Sequence, residues 1–311
     1  MKKFLLLFVL SLELMGFKVE LNSNVTALKL EEKSLYIGTD EGEIYILETQ
    51  NLKDQDEDLF LNEPFVKFEK VQNYYEALGA KIYYIDVLKD KMLVLSEGDF
   101  GSKNLSIYEN NHLKQTKKLE FESVNRIFFI DENTLLVGLI GSEVKLLNLD
   151  FKELKSFKFS HSSLNDIVLS EDKKSFVAGF ESGEVELFDL EKWQILKNYN
   201  AIHKDNIYQV SYKNGVILSC GTDRRVGVIR KEKQNFLQKD FLIYACALSP
   251  SGKLAAFSDN NSGITELFET ATLKSVKKFE DLDMMSEFIV FLDDSTLLIS
   301  GFGKVILMRS L

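Results

Sequence analysis

The acidic segment at residues 54–58 has the residue types and spacing of a calcium-binding loop. Its sequence, Asp-Gln-Asp-Glu-Asp, places carboxylates at positions one, three and five, which are ligand positions in such loops. The remainder does not fit, because Leu59 stands where the sharp turn needs glycine and Phe65 where a bidentate glutamate should complete the shell. We therefore predict a solvated acidic connection here and no metal site.

Other groups that could bind a metal or act as nucleophiles are few. The chain has three histidines and two cysteines, Cys220 and Cys246, too few for a disulfide scaffold or a multi-cysteine metal site. The two cysteines could form a disulfide or remain separate buried thiols, and the sequence leaves both open. The chain contains no Gly-x-Ser-x-Gly elbow and no phosphate-binding Gly-x-x-x-x-Gly-Lys loop. We expect no catalytic residues, no cofactor and no metal ion.

The composition sets limits on the partner. Of the 311 residues 45% are hydrophobic, the formal charge is −10 and the pI is near 5.1. The apolar fraction is too high for disorder, and an acidic chain lacks the concentrated basic surface that nucleic acid or an anionic membrane requires. We therefore expect a folded protein whose partner is neither nucleic acid nor a membrane surface.

The first sixteen residues have the features of a secretory signal peptide. Two lysines follow Met1, residues 4–12 form an apolar run broken only by a serine, and Gly16 offers a small residue at the cleavage position. The run is too short for a membrane-spanning helix, which needs about 20 apolar residues. We therefore predict a signal peptide at 1–16, a mature chain that begins near Phe17 without a membrane span, and a periplasmic location.

A phrase of two short strands recurs along the chain. Each copy has an apolar run, a small residue, a polar turn and a second run that ends in a bulky apolar residue. That final residue falls at positions 47, 108, 147, 188, 229, 268 and 308, so the first gap is the longest and the other five are nearly equal. Runs of this length, rich in β-branched and aromatic side chains, indicate strands. A period of roughly 40 residues with four strands is that of a propeller blade.

Each unit also has an earlier apolar run, which would form the inner strand, and a later polar run, which would form the outer one. The predicted inner strands are 25–30, 82–88, 124–130, 164–169, 207–212, 243–248 and 287–292. The sequence stops shortly after Met308, so the seventh unit lacks an outer strand, and residues 17–21 alternate correctly to supply it. We therefore predict an all-β fold in which residues 17–311 form a seven-bladed β-propeller. The N-terminal strand would pair into the last blade and close the ring.

Several phrases resemble those of WD40 repeats. Phe188-Asp189-Leu190 stands where the family has Trp-Asp-Leu, residues 248–254 resemble its Phe-Ser-Pro-Asp-Gly turn, and residues 221–224 resemble its Gly-Ser-x-Asp-Gly hairpin. His161 and His203 stand where the family has its blade-entry histidine. No blade keeps tryptophan at the position of the bulky final residue, so the family's Asp-His-Ser-Trp hydrogen-bond network is mostly absent. The resemblance covers the mature chain and implies a WD40-like propeller.

A second resemblance is to the NapL-type accessory proteins of bacterial periplasmic nitrate reductases. It rests on the leader, the compact length, the Lys- and Phe-rich composition and phrases within residues 24–42. This resemblance implies a non-catalytic role in assembling or supporting nitrate-reducing electron transfer, with components of the reductase as partners.

One face of the predicted propeller collects most of the residues that could bind a protein. We call it the entry face: it carries the starts of the inner strands and the turns between the second and third strands. Arg224 and Arg225 form the one arginine pair, in a turn where other blades have Asp, Glu, Ser or Asn, and arginine is enriched at binding hot spots. The predicted protein-binding residues on this face are His161, Phe180, His203, Lys204, Asp205, Arg224, Arg225 and Phe302.

The resulting hypothesis is a secreted, non-catalytic interaction platform that serves periplasmic nitrate reductase. One alternative is a hydrolase or lactonase with a metal in the central channel. That would need a ring of inward carboxylates or histidines, and Asp86 and Asp166 are the only acidic candidates in the interior of the predicted inner strands. Another alternative is a scaffold for envelope protein assembly, which the sequence does not separate from the first hypothesis.

Overall fold

Seven four- or five-stranded sheets make up nearly all of the regular structure. The computed structural model of the chain describes residues 16–53, 57–119, 123–160, 162–259, 263–280 and 282–311. The inner strand of each sheet contacts the inner strand of the next, and the seventh contacts the first. The protein is therefore a seven-bladed β-propeller, as the sequence period predicted.

Each blade runs from the central channel outward. Blade one consists of β2 (Val25–Glu31), β3 (Ser34–Thr39), β4 (Glu43–Glu48) and β6 (Val66–Lys67). Blade two consists of β9 (Ile82–Leu88), β10 (Lys91–Glu97), β11 (Lys103–Glu109) and β12 (His112–Lys118). Blade three consists of β13 (Val124–Asp131), β14 (Thr134–Leu139), β15 (Glu143–Asn148) and β16 (Glu153–Lys158). Blade four consists of β17 (Leu164–Leu169), β18 (Ser175–Phe180), β19 (Val185–Asp189) and β20 (Gln194–Tyr199).

Blade five consists of β21 (Ile207–Lys213), β22 (Val216–Gly221), β23 (Arg225–Arg230) and β24 (Lys233–Gln238). Blade six consists of β25 (Cys246–Leu248), β26 (Leu254–Asp259), β27 (Ile264–Glu269) and β28 (Ser275–Phe279). Blade seven consists of β29 (Ser286–Phe291), β30 (Thr296–Gly301), β31 (Val305–Ser310), β1 (Lys18–Leu21) and β5 (Leu59–Leu61). The remaining elements are α1 (Thr49–Lys53), β7 (Val71–Gln72), β8 (Ala77–Leu78) and a 3₁₀ turn at Asp99–Gly101.

The hydrophobic core lies between neighbouring sheets. Second strands are buried on both faces, as in β22, whereas outer strands such as β16 are mostly exposed. Between blades three and four, the fully buried rings of Phe176 and Phe188 stack with centroids 4.7 Å apart. Burying such a side chain contributes about 2–3 kcal/mol, so the many phenylalanines are the wedges that hold adjacent blades together.

The N-terminal strand closes the ring. β1 pairs antiparallel with β31, with Val19 opposite Ile306, which confirms the predicted pairing. On its other side β1 pairs in parallel with β5, with Val19 opposite Leu59, a fifth strand that the sequence analysis did not predict. β1 is therefore an interior strand with backbone partners on both sides.

The predicted inner strand of blade six was too long. Residues 243–248 were expected to form it, but β25 contains only Cys246–Leu248. The N–H of Ala245 donates to the hydroxyl of Ser258 at 3.1 Å, so a side chain replaces the backbone acceptor at that point of the ladder.

The long first gap holds three separate features. After α1, β5 joins blade seven and β6 returns as the short outer strand of blade one. β7 and β8 then form a hairpin on the entry face before blade two begins. The leader at 1–15, the acidic residues 54–56 and His161 lie outside the described residues. Within the described ranges no helix is long and apolar enough to cross a membrane.

Candidate functional site

The inner strands of six blades share a bulge near the entry face. In each of these blades the pairing between the first and second strands skips one residue of the first strand. A bulge of this kind changes the direction in which a side chain points. The skipped residues are Thr26, Tyr83, Asn125, Asn165, Tyr208 and Glu287.

Three of the bulge side chains donate to a backbone carbonyl of the next blade. Thr26 Oγ1 lies 2.7 Å from the carbonyl of Ile82, Asn125 Nδ2 lies 3.2 Å from that of Leu164, and Asn165 Nδ2 lies 3.1 Å from that of Ile207. A fourth, Tyr208, stacks on Tyr244 of blade six with ring centroids 4.9 Å apart. Four of the six bulge side chains therefore link one blade to the next, whereas the centre of the Tyr83 ring lies 3.4 Å from the ammonium of Lys103 in its own blade.

Asp86, one of the two acidic residues predicted in the interior of inner strands, connects three blades. It forms an ion pair with Lys29 of blade one at 2.8 Å and accepts the N–H of Phe129 of blade three at 2.8 Å. Burial alone would lower the pKa of Lys29, but the charge and hydrogen bond of Asp86, together with the smaller effects of Tyr84 and Glu31, outweigh burial and raise that pKa.

Asp166 repeats this arrangement two blades further round the ring. It pairs with Arg126 of blade three at 2.9 Å and accepts the N–H of Val210 of blade five at 2.9 Å. Burial raises the pKa of Asp166 despite these partners. Both candidate carboxylates are thus engaged in contacts between blades, which a channel metal would have to displace.

The predicted residues of blade five surround Asp223, a carboxylate in the turn between β22 and β23. His203 Nδ1 lies 3.0 Å from Asp223 Oδ1, and its Nε2 lies 2.8 Å from Ser219 Oγ. The backbone N–H groups of Lys204 and Arg225 also donate to Asp223, at 3.0 Å and 3.1 Å. Burial would raise the pKa of Asp223, but the hydrogen bond and charge of His203 and the two backbone N–H groups together outweigh burial, so that pKa is lowered. Blade five therefore keeps the Asp, His and Ser members of the WD40 network.

Two of the predicted binding residues in this blade are structural. The imidazole of His203 is fully buried. Arg225 is half-buried: its guanidinium donates to the carbonyl of Ile202 and lies 4.2 Å from the centre of the Phe236 ring. Gly227 makes room for the cluster, because a Cβ there would lie 2.6 Å from Ser219 Oγ. The ring of His203 is therefore closed to a partner, and Arg225 uses its guanidinium in contacts within the blade.

Phe180 requires a correction. We expected an aromatic side chain in a surface turn, but Phe180 is the last residue of β18, is fully buried and packs on Phe159 with ring centroids 5.1 Å apart. Its ring cannot contact a partner, because it fills the space between two blades.

The other predicted residues divide by exposure. Lys204, Asp205 and Arg224 are exposed beside the buried cluster, and the φ of Arg224, 65°, fits its place in a tight turn. Phe302 is 74% exposed in the corresponding turn of blade seven. The structure thus brings three exposed polar residues together at blade five and places Phe302 elsewhere on the same face.

Sequence reasoning missed most of the exposed hydrophobic side chains of the entry face. They lie in its turns and loops and, together with Phe302, are Tyr74, Tyr75, Leu78, Phe100, Ile140, Phe241 and Met285. Among the described residues, the turns between strands on the opposite face carry no exposed large hydrophobic side chain. Two other exposed hydrophobic residues of the described chain lie outside strands and outside both sets of turns: Phe65, just before β6, and the terminal Leu311. A scan for bulky apolar residues at turn positions would have found the entry-face set.

The β7–β8 hairpin carries the most exposed aromatic residues of the set. Tyr74 and Tyr75, at its tip, are 79% and 97% exposed. The hairpin is attached to the 3₁₀ turn of blade two, where the N–H of Gln72 donates to Asp99 Oδ1 at 2.7 Å and the Tyr74 ring lies 5.4 Å from that of Phe100. The long insertion therefore presents an aromatic tip above the entry face.

The central channel opens on the entry face as a cavity of about 430 Å³. Aromatic side chains form much of its wall, and its charged lining residues are Arg126, Asp166 and Glu287. Glu287 is half-buried, and burial raises its pKa. A second cavity of about 470 Å³ occupies the other half of the channel.

Metal-binding and redox groups are sparse in the part of the chain that the structure describes. No group of three or more His, Cys, Asp or Glu side chains there is placed to hold a metal ion. Cys220 and Cys246 are both buried free thiols in the core between blades five and six. The sequence left their pairing open, and the structure shows them unlinked.

These features define a seven-bladed propeller with a WD40-like arrangement and exposed hydrophobic side chains on its entry face. No protein-family model matches the chain, and no curated protein matches it.

Proposed function

We propose that this protein is a non-catalytic interaction platform that binds a protein partner on its entry face. The observation that supports it is the unequal distribution of exposed hydrophobic side chains between the two faces. Isolated exposed hydrophobic residues are common, but a collection of aromatic and aliphatic side chains on one face is typical of a protein-binding surface. The engagement of Asp86 and Asp166 in contacts between blades also favours binding over catalysis.

The finer part of the proposal is a secreted accessory role for periplasmic nitrate reductase. Its support is the resemblance of the leader and of residues 24–42 to the NapL-type proteins. Components of that reductase are accordingly the partners to test first.

Binding is tested with purified nitrate reductase components and the double variant Tyr75→Ser/Phe302→Ser. Both side chains are exposed, so folding should be unaffected, and we expect the dissociation constant to rise at least about tenfold because aromatic residues dominate interface energies. Leu196→Ser, on an outer strand and 41% exposed, is the matched control. Equal affinity of the double variant and the wild type would contradict the entry-face assignment.

Arg224→Ala is a separate variant for the polar part of the same face. Replacing both arginines of the pair would disturb the packing of Arg225 on Phe236, so Arg224, which is exposed, is replaced alone.

Secretion is tested by fractionating the host cell and sequencing the N-terminus of the recovered protein. We expect a periplasmic protein that begins near Phe17, because residues 1–16 have the order of regions that a signal peptide requires. Recovery from the cytoplasm with Met1 in place would refute this part of the proposal.

A further inference from the structure

Glu287 is the exception among the bulge residues of the inner strands. Thr26, Asn125 and Asn165 each donate a hydrogen bond to a carbonyl of the next blade. A carboxylate at the equivalent position has no proton to donate at neutral pH. Among the described residues Glu287 has neither an ion pair nor a hydrogen bond, and burial is what raises its pKa. The junction between blades seven and one therefore has an acceptor where its counterparts have donors.

The surroundings of Glu287 leave its charge uncompensated. It lines the cavity at the channel mouth together with Arg126 and Asp166, and those two form an ion pair with each other at 2.9 Å. Glu287 is thus the one charged lining residue of this cavity that has no partner in the described chain. Because Glu287 is half-buried and lines the cavity, its carboxylate is accessible to a ligand that enters the channel mouth.

The walls of the cavity suit a cation. Tyr208 and Tyr244 stack on each other at its rim. In its deeper wall the Arg126 guanidinium lies 5.4 Å from the centre of the Tyr84 ring, so one aromatic face of this cavity already holds a cation. Aromatic faces attract positively charged groups, and the attraction strengthens when water is excluded. The cavity of about 430 Å³ is large enough to admit a long side chain end-on.

We propose that the channel mouth is a pocket for a positively charged side chain, an ammonium or guanidinium group of the entry-face partner, with Glu287 as its anionic ligand. This inference rests on the proposed function, because the exposed apolar residues of the entry face would hold the rest of the partner. The cation would donate hydrogen bonds to the Glu287 carboxylate. It would thus supply, between blades seven and one, the donor that Thr26, Asn125 and Asn165 supply at their junctions.

The first experiment measures pocket binding without the natural partner. The probes are a capped Gly-Ser-Arg-Ser-Gly peptide and the same peptide with citrulline, a neutral isostere of arginine, and binding is read by saturation-transfer NMR. We expect the arginine peptide to bind the wild type and the citrulline peptide to bind at least about tenfold more weakly, because charge-assisted hydrogen bonds are roughly twice as strong as neutral ones. Equal binding of the two peptides would overturn the proposal.

The variant Glu287→Gln tests whether the Glu287 carboxylate is the group that binds the cation. The substitution keeps the shape and removes the charge, and we expect it to weaken binding of the arginine peptide at least about tenfold. Asp240→Asn removes an exposed entry-face carboxylate of blade six and should leave binding unchanged. Undiminished binding by Glu287→Gln would overturn the proposal. Methylguanidinium tests whether a small free cation is sufficient. If it binds as tightly as the arginine peptide, the pocket binds free cations, and the proposal that it holds a side chain of a protein partner fails.

The same variant separates this inference from the proposed function. If a reductase component binds the wild type and Glu287→Gln equally but fails to bind Tyr75→Ser/Phe302→Ser, the entry face is the docking surface and the pocket plays no part. If the arginine peptide requires Glu287 while no reductase component binds, the pocket stands and its partner is a different protein.

Discussion

Side chains at the bulge position carry much of the contact between inner strands. The hydroxyl of Thr26 and the amides of Asn125 and Asn165 each satisfy a carbonyl of the neighbouring blade. Such bonds contribute about 1 kcal/mol each and leave no buried acceptor unpaired at these three positions. Glu287 forgoes this contribution, which is the pattern expected where binding has been favoured over stability.

Replacing Glu287 with glutamine should therefore stabilise the unliganded protein. The amide gains a donor, so at pH 7.5 we expect about 1 kcal/mol of added stability and a rise in Tm of about 1–3 °C. The folded pKa of Glu287 is raised above its ordinary value of 4.5. The folded state therefore binds the proton more tightly than the unfolded chain, and the wild type loses stability as pH rises through this window.

Calorimetry of the two proteins at pH 7.5 and pH 4 checks this prediction. The advantage of the variant should narrow at pH 4, where Glu287 is protonated and can itself donate. Asp240→Asn serves as the control with no expected change. A variant that melts at or below the wild-type temperature at pH 7.5 would show that Glu287 is already well accommodated.

The histidines show how far residue types alone can guide a site assignment. The phrase around His203 predicted a blade-entry histidine, and the structure gives it that role through Asp223 and Ser219. Its exposure was not readable from the sequence, because burial depends on the loop that folds over it. Phe180 illustrates the same limit: it was expected in a turn, but it ends β18 and points inward because its ring packs on Phe159.

Among the elements, β1 links the two ends of the ring most directly. Val19 is 1% exposed at the centre of the strand, between β31 and β5. Val19→Asp would place a charge there without a partner, and we expect a loss of at least about 3 kcal/mol in the free energy of unfolding.

Urea denaturation measures this loss. Glu20→Gln alters the opposite face of the same strand, where the side chain is 42% exposed, and should change stability by less than about 0.5 kcal/mol. If Val19→Asp unfolds at the wild-type urea concentration, β1 does not hold the ring closed in solution.

The long insertion was the least predictable set of elements. β5 has three residues and β7 two, too few for alternation to identify a strand. β5 also pairs with β1 in blade seven, whereas β4 before it and β6 after it belong to blade one. This pairing depends on how blades seven and one meet in the ring, so the local sequence does not predict it. The acidic residues 54–58 resemble part of a calcium-binding loop, but the exposed Tyr74 and Tyr75 that follow are the residues of this insertion that point to a binding surface.

At the scale of the whole molecule, the period of the sequence was sufficient to predict the ring. Seven similar units, each as long as one propeller blade, predict a seven-bladed ring, and the alternation of residues 17–21 predicts the strand that closes the ring. The unequal character of the two faces could not be seen in the same way. It comes from turns far apart in the chain that lie on one face only after the blades are assembled.

The two ladders that hold β1 differ greatly in the length of chain they enclose. The ladder to β31 joins Val19 to Ile306 and encloses almost the whole propeller, whereas the ladder to β5 joins Val19 to Leu59 and encloses little more than blade one. The entropic cost of closing the shorter loop is smaller by about 2 kcal/mol. During synthesis β5 is thus available to pair with β1 once residue 61 has been made, whereas β31 becomes available only at the end of the chain.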